Sequence, residues 1–182
     1  MRFVRLPIIV AGLVLSPLAA AQPAAPTTTG PALSAAECEV WTRELGFARS
    51  VAEHDAAAFA DFIALGAVFG ARGSQPQRGR DAVVAAWAGI VSGKDLLLSW
   101  YPRTVAIGGE PDIAYSSGPA LYRTIEPNDG GWYQLGEYHS TWHRDDDGVW
   151  RVLFDEGIKP MPASEADVMA YSKGRREACP RG

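Results

Sequence analysis

The sequence has 182 residues, of which 47% are hydrophobic and 21% are charged, and its formal net charge is −4. These proportions are typical of ordinary globular proteins and exclude collagen, coiled coils and intrinsically disordered chains. The length predicts a single domain that can bury a core of its own.

The first 21 residues predict a cleaved export signal. Arg2 and Arg5 form a positively charged start, an apolar stretch follows from Leu6 to Leu18, and Ala19–Ala21 supplies the small residues of a cleavage site. The apolar stretch is too short and too often interrupted to span a membrane. We therefore expect cleavage near Ala21, a periplasmic or secreted protein, and no membrane contact after cleavage.

Export changes how the charges and the cysteines are interpreted. Cleavage removes two of the 17 basic residues and none of the 21 acidic ones, so the net charge of the mature chain becomes −6. An acidic chain with scattered arginines has no surface suited to phosphate backbones, and we expect no nucleic acid partner. An oxidising compartment favours a structural disulfide over free thiols, and Cys38 and Cys179 are predicted to form one.

Helices are predicted first along the mature chain, after a flexible leader at residues 22–33 that is rich in Pro, Ala and Thr. Ser34 and Glu37 form a capping box. Apolar residues then recur at helical spacing as far as Ala52. The next predicted elements are a short helix from Asp55 through Ile63 to about Gly66, a strand at Ala67–Ala71 and a third helix from Asp81 to Gly93.

Strand-like runs dominate the second half of the chain, and turns rich in Gly, Asp, Asn and Pro separate them. Consecutive hairpins predict an antiparallel meander, and helices followed by such a sheet predict an α+β fold with the helices on one face of a bent sheet. Pro102 and Pro119 predict bulges or strand edges. The four runs are Leu96–Ile107, Asp112–Ile125, Trp132–Arg144 and Val149–Gly157.

Three stretches carry a resemblance to a known family. They are Gly79–Val83 at the start of the third helix, Ile113–Gly118 in the second strand, and the closing hairpin of Gly136–Arg144 and Asp147–Gly157. On these stretches the chain resembles the nuclear transport factor 2-like superfamily, also called SnoaL-like or steroid-isomerase-like. Within it, the chain is most similar to the domain-of-unknown-function 4440 group.

The resemblance implies a fold, a partner and a division of the chain. Three N-terminal helices are expected to pack on a strongly bent antiparallel sheet and to form a cone with a central pocket, and a homodimer is expected through the outer face of the sheet. The domain would span residues 34–160, and the tail at 161–182 has no counterpart. Family members include isomerases, cyclases, dehydratases and proteins without a known reaction, so the fold alone assigns no chemistry.

Titratable side chains concentrate on the last two predicted strands. Because side chains alternate along a strand, Glu137 and His139 share one face and Tyr138 lies on the other, while Asp155 belongs to the final strand. For acid–base catalysis, Asp155 or Glu137 would accept a proton. His139 would act as an acid or electrostatic partner, and Tyr138 would donate to a developing oxyanion. The alternative is that His139 is a hydrogen-bonded strand residue and that Asp155 ends its strand at a solvated rim.

The sequence predicts no metal and no cofactor. His139 and His143 would lie about 13 Å apart on an extended strand, which is too far for a shared ion. The acidic turn Asp145–Asp147 lacks acidic residues at the first and last positions of a calcium loop, and we interpret it as a solvated hairpin turn. The phosphate-binding glycine motifs and the nucleophile elbow are missing from the sequence.

Aromatic residues are numerous, and two interpretations of them stay open. They fill the core between short helices and a curved sheet, or several of them line a pocket for a flat, moderately apolar ligand. The predicted pocket-lining residues are Trp87, Trp100, Tyr115, Tyr122, Trp142 and Trp150.

These observations favour an exported protein that binds a small organic molecule in the cone, with isomerase-, cyclase- or lyase-like acid–base chemistry as an open option. The alternative is a non-catalytic, dimerising protein-interaction module of the periplasm. A binder or enzyme predicts an open cavity of several hundred Å³ into which polar groups point, whereas an interaction module predicts a filled interior.

Overall fold

Helices and strands alternate in the first half of the chain, and strands dominate the second half. The structure is a computed structural model that describes residues 32–128 and 131–180. The predicted signal at 1–21 and all but the last two residues of the predicted leader lie outside the described residues. The elements are α1 (Ala35–Ala52), α2 (Ala56–Asp61), β1 (Ile63–Phe69), β2 (Gln77–Arg78), α3 (Arg80–Val91), β3 (Leu96–Trp100), β4 (Thr104–Ile107), β5 (Ile113–Asn128), β6 (Gly131–Arg144), β7 (Trp150–Pro162) and α4 (Glu165–Gly174).

The strands form one curled, open sheet in the order β2-β1-β7-β6-β5-β3, with β4 also paired to β5. The long strands β5, β6 and β7 form the predicted antiparallel meander. The pairing of β1 with β7 is parallel and was not predicted. Helix α1 packs against β3, β4, β5 and β7, so it lies on the concave face, which we call the inner face of the sheet. The predicted α+β architecture is confirmed.

Helix α1 begins at the predicted capping box. The Ser34 hydroxyl accepts a hydrogen bond from the Glu37 backbone N–H, and the Glu37 carboxylate accepts one from the Ser34 backbone N–H. Among the described residues, none of the helices is long and apolar enough to cross a membrane.

The predicted extension of the second helix to Gly66 is wrong. Helix α2 ends at Asp61, and Ile63 already begins β1, where it pairs with Val152 of β7. Ile63 is fully buried. Pairing with a distant strand therefore overrides the local helical spacing, which a periodicity argument does not detect.

The single strand predicted over residues 96–107 is divided at Pro102, where the chain breaks into β3 and β4. Both pieces pair with β5, and Pro119 falls between the two paired segments, so its missing N–H interrupts neither of them. The backbone at Gly118 passes very close to the backbone at Tyr101, because a Cβ on Gly118 would overlap the carbonyl oxygen of Tyr101. These are the irregularities that the two prolines predicted.

The C-terminal tail contains a helix that the sequence analysis did not predict. Helix α4 begins at a second capping box of Ser164 and Asp167. Its Tyr171 packs against Tyr101, with ring centroids 4.9 Å apart, and the Tyr101 hydroxyl donates to the Tyr171 carbonyl oxygen. The predicted disulfide between Cys38 and Cys179 is present, and it fastens the tail to α1.

Candidate functional site

The two faces of β6 separate the candidate residues of that strand. Tyr138 and Trp142 are buried and belong to the inner face, whereas Glu137 and His139 belong to the outer face. On β7, Asp155 lies directly opposite Ser140 and shares the inner face with it. The structure therefore brings Tyr138 and Asp155 to the same side of the sheet.

A fully buried carboxylate, Glu44 of α1, lies at the centre of the inner face. Its oxygens accept hydrogen bonds from the indole N–H of Trp100 at 2.7 Å, from the indole N–H of Trp142 at 2.9 Å and from the Ser116 hydroxyl. Burial raises the pKa of Glu44, and the three donors counteract part of that rise. The sequence analysis missed Glu44, although its spacing of three residues from Trp41 places it on the buried stripe of α1.

Asp155 is the second carboxyl group on the inner face. It is 9% exposed and accepts a hydrogen bond of 2.6 Å from the Ser140 hydroxyl. Burial raises the pKa of Asp155 to about 7, the charges of Glu44 and Glu156 act in the same direction, and the Ser140 hydrogen bond opposes them. A carboxyl group with this pKa exchanges a proton near neutral pH.

Tyr138 presents a buried hydroxyl that has no hydrogen-bond partner among the described residues. The nearby Ser116 hydroxyl already donates to Glu44. Burial and the charge of Glu44 raise the pKa of Tyr138 well above its usual value, and the nearby Ser116 hydroxyl opposes a smaller part of that rise, so the phenol keeps its proton. A buried polar group without a partner is rare and marks a place where a ligand or a water molecule can bind.

Next to these groups on the inner face, the missing side chain of Gly157 leaves a small gap. Gly157 is exposed and lies directly opposite Tyr138 in the β6–β7 pair. A Cβ on Gly157 would lie 3.4 Å from the Tyr122 hydroxyl, which places Tyr122 on the other side of the gap. The charge of Asp155 also raises the pKa of Tyr122, in addition to burial. We call Tyr122, Tyr138, Asp155 and Gly157 the inner-face site.

The outer face holds the other two candidate catalytic residues. His139 Nε2 lies 3.6 Å from a carboxylate oxygen of Glu137, and the imidazole ring lies edge-on to Tyr115 with centroids 5.9 Å apart. Asp155 lies on the opposite side of the sheet. His139 and Glu137 therefore do not share a site with Asp155, which corrects that part of the catalytic hypothesis.

The six aromatic candidates have different environments. Trp100, Trp142 and Trp150 are at most 4% exposed and belong to the core. Trp87 is partly buried and stacks on Phe59, with ring centroids 5.4 Å apart. Tyr115 lies on the outer face and is 41% exposed, so its assignment to the pocket is corrected. Tyr122 is the candidate that borders the gap at Gly157.

At least four clefts of several hundred Å³ lie around the described residues, and three of them adjoin the sheet. A cleft of about 560 Å³ borders the acidic turn, where Arg151 holds Asp145 and Asp147 and its hydrogen bond lowers the pKa of Asp147 to about 2. A cleft of about 550 Å³ borders Trp150. A cleft of about 320 Å³ lies at the β3 edge. Asp155 and Tyr138 line none of the three.

The arrangement of helices and strands matches that of proteins with solved structures. A protein of unknown function from Pseudomonas putida KT2440, described as nuclear transport factor 2-like, matches with a TM-score of 0.57 and 15% identity, over 75% of this chain and 94% of that one. This chain has the nuclear transport factor 2-like fold. The resemblance inferred from the sequence is thereby confirmed for the fold, whereas the narrower 4440 group is not. No protein-family model and no curated protein matches the sequence.

Two further proteins with the nuclear transport factor 2-like fold are associated with small molecules by name. A Novosphingobium aromaticivorans protein, named provisionally as a scytalone dehydratase, matches with a TM-score of 0.56 and 16% identity, over 79% of this chain and 91% of that one. A Mycobacterium tuberculosis protein in complex with estradiol-17beta-hemisuccinate matches with a TM-score of 0.51 and 14% identity, over 68% of this chain and 93% of that one. At these identities the likeness concerns the fold.

Proposed function

We propose that the protein binds a small organic molecule at the inner-face site, with a polar group of the ligand next to Tyr138 and Asp155. The observation that carries this proposal is the buried Tyr138 hydroxyl, which has no hydrogen-bond partner within residues 32–128 and 131–180 and lies opposite a glycine that leaves space beside it. A ligand oxygen placed over Gly157 would accept the missing hydrogen bond. The small molecules named for two proteins of the same fold support the proposal.

The site also supports acid–base chemistry of the isomerase or lyase kind. Asp155, with a pKa of about 7, removes a proton from carbon or returns one at neutral pH. Tyr138 remains protonated and donates a hydrogen bond to an oxygen that gains negative charge in the transition state. Both roles are assigned to residues on one face, and His139 and Glu137 have no part in them.

We propose that this activity takes place outside the cytoplasm, in the periplasm or as a secreted protein. The Cys38–Cys179 disulfide supports this location because such bonds persist in oxidising compartments. The export signal expected at residues 1–21 is the second argument. Sequencing the N-terminus of the protein recovered from the native host tests the location, with a start near Gln22 as the expected result.

Binding is tested by nuclear magnetic resonance titration with a set of small phenols and cyclic ketones. We expect shift changes centred on Tyr138, Asp155 and Gly157. Tyr138→Phe and Gly157→Val should each weaken binding by tenfold or more, whereas His139→Gln on the outer face is the matched control and should leave it unchanged. Shift changes confined to the outer face, or equal affinities in all variants, would contradict the proposal.

The second candidate function is a non-catalytic module that dimerises or binds another exported protein. It is favoured by four exposed apolar side chains on the outer face, Ile113, Tyr115, Phe154 and Ile158, which are 37–43% exposed. Light scattering of the mature protein distinguishes the two. A dimer that Phe154→Glu converts to a monomer supports the module, and a monomer that binds ligands at the inner-face site rejects it.

A further inference from the structure

A second space that could hold a ligand is a cleft at the exposed β3 edge of the sheet. The cleft of about 320 Å³, which we call the edge cleft, is lined by the C-terminal ends of α1 and α3 and by β3, β5 and β6. Its walls include the apolar residues Ile90, Leu97 and Leu121, and its charged or titratable members are His54, Arg123 and Tyr133. Its volume falls at the lower end of the range for small-molecule sites.

His54 is held in one orientation at this cleft. It is the single non-glycine residue with a positive φ among the described residues, at 60°. Its Nδ1 lies 2.9 Å from the carbonyl oxygen of Val91, and because a carbonyl only accepts, Nδ1 carries the hydrogen. In the neutral ring, Nε2 is therefore an unprotonated acceptor.

Gly93 packs closely against one side of this imidazole. A Cβ on Gly93 would lie 2.5 Å from His54 Cε1 and 3.1 Å from Nε2, and the φ of +69° at Gly93 also disfavours a side chain. The ring borders both the edge cleft and a smaller cavity of about 130 Å³. His54 thus forms part of the wall between two spaces and offers a fixed acceptor at its Nε2.

Arg123 supplies a positive charge that has no counter-ion in the part of the chain that the structure describes. Its side chain forms no hydrogen bond or ion pair with any described residue, and no Asp or Glu lines the edge cleft. The larger cleft at the acidic turn differs, because there Arg151 is paired with two aspartates and Arg80 donates to the Ile63 carbonyl. The unpaired guanidinium of Arg123 therefore favours an anion, and guanidinium groups match carboxylates in a bidentate arrangement.

We propose that the edge cleft binds a small amphipathic hydroxycarboxylic acid. Arg123 pairs with the carboxylate, the apolar walls cover the hydrocarbon body, and His54 Nε2 accepts a hydrogen bond from the hydroxyl. The carboxylate follows from the guanidinium, and the hydroxyl follows from the Nδ1 hydrogen bond of His54, which leaves Nε2 as the acceptor atom of the neutral ring. This site is separate from the inner-face site, since Tyr138 and Asp155 do not line it.

The test uses calorimetric titration of the mature protein with three related probes. These are 4-hydroxyphenylacetate, phenylacetate, which lacks the hydroxyl, and 2-(4-hydroxyphenyl)ethanol, which lacks the carboxylate. We expect the hydroxy acid to bind at least tenfold more tightly than the alcohol and measurably more tightly than phenylacetate. A wild-type protein that binds the acid and the alcohol equally overturns the proposal.

Two variants assign the contacts to residues. Arg123→Gln, at an exposed position, should remove the preference for the acid over the alcohol. His54→Asn should remove the preference for the hydroxyl, because asparagine tolerates the left-handed backbone and can still donate to Val91 but lacks Nε2. Arg103→Gln, at an exposed arginine outside both sites, is the matched control and should leave all three affinities unchanged. In Tyr138→Phe, where binding of phenols at the inner-face site is weakened, the preferences for the carboxylate and for the hydroxyl should persist, which separates this site from the inner-face site. If Arg123→Gln keeps the full preference for the acid, the assignment is rejected.

Discussion

Ser140 donates a hydrogen bond of 2.6 Å to Asp155, the residue directly opposite it on the next strand. Burial nevertheless raises the pKa of Asp155 from 3.8 to about 7. Below about pH 4 the Asp155 carboxyl is protonated in both the folded and the unfolded state. The stability that the protein gains by burying the protonated carboxyl is then fully present. Between about pH 4 and 7 the unfolded state ionises first, and the free energy of unfolding should fall by at most about 4 kcal/mol.

The measurement is urea denaturation of wild type and Asp155→Asn from pH 4 to 8. The unfolding free energy of the wild type minus that of Asp155→Asn should decrease as pH rises to about 7 and then level off. The pKa of Glu44 is raised as well and contributes in the same direction, so the variant should keep part of the slope. A wild-type protein that gains stability relative to the variant over this range contradicts the assignment.

Glu44→Ala should strongly destabilise the fold. The substitution removes the acceptor of two buried indole N–H groups and the Ser116 hydroxyl, and the expected loss is about 3–5 kcal/mol. Glu39→Ala, on an exposed position of the same helix, is the matched control and should cost no more than about 1 kcal/mol. Chemical denaturation followed by tryptophan fluorescence measures both. Similar losses for the two variants would mean that Glu44 does not anchor the inner face.

Reducing the Cys38–Cys179 disulfide should destabilise the protein by about 2–5 kcal/mol, because the bond closes a long loop in the unfolded chain. Thermal unfolding with and without excess dithiothreitol measures the effect. The Cys38→Ser/Cys179→Ser double variant should show the same lowered Tm in both buffers. Free-thiol titration of the denatured, unreduced protein should detect no thiol, and two reactive thiols per chain would refute the bridge.

Gly118→Ala should destabilise the fold by about 1–3 kcal/mol through overpacking, because its Cβ would overlap the Tyr101 carbonyl oxygen. Gly108→Ala is the control, since no atom lies within 4 Å of the position of its Cβ. That variant should stay within about 0.5 kcal/mol of wild type. Equal stabilities of the two variants, measured by thermal unfolding, would contradict the close contact between Gly118 and the Tyr101 carbonyl oxygen.

Features that depend on local sequence were predicted well. The capping box at Ser34 and Glu37, the division of the chain into helices followed by a meander, and the irregularity at Pro102 all follow from short-range stereochemistry. The pairing of Cys38 with Cys179 followed from the number of cysteines and the expected compartment. In each case neighbouring residues or a simple count carry the information.

Features that depend on distant contacts could not be predicted from the sequence. Ile63 continues a helical spacing but joins β1 because β7 lies alongside it. Strand alternation shows which residues of β6 share a face but not which face points to the core. The position of α1 identifies Tyr138 as inner and His139 as outer. Glu44 lies on a stripe that would ordinarily be apolar, and its three donors come from three different strands.

The closed loop between Cys38 and Cys179 also determines how the domain responds to tension. The Leu33 N–H lies 3.4 Å from the Pro180 carbonyl oxygen, so the two ends of the described chain are neighbours. A pulling force applied at these ends is carried by a covalent bond and bypasses the loop between the two cysteines, which are 141 positions apart. The sheet and its buried carboxylates therefore remain unloaded when the protein is tethered through its termini, and they become mechanically extensible only after reduction.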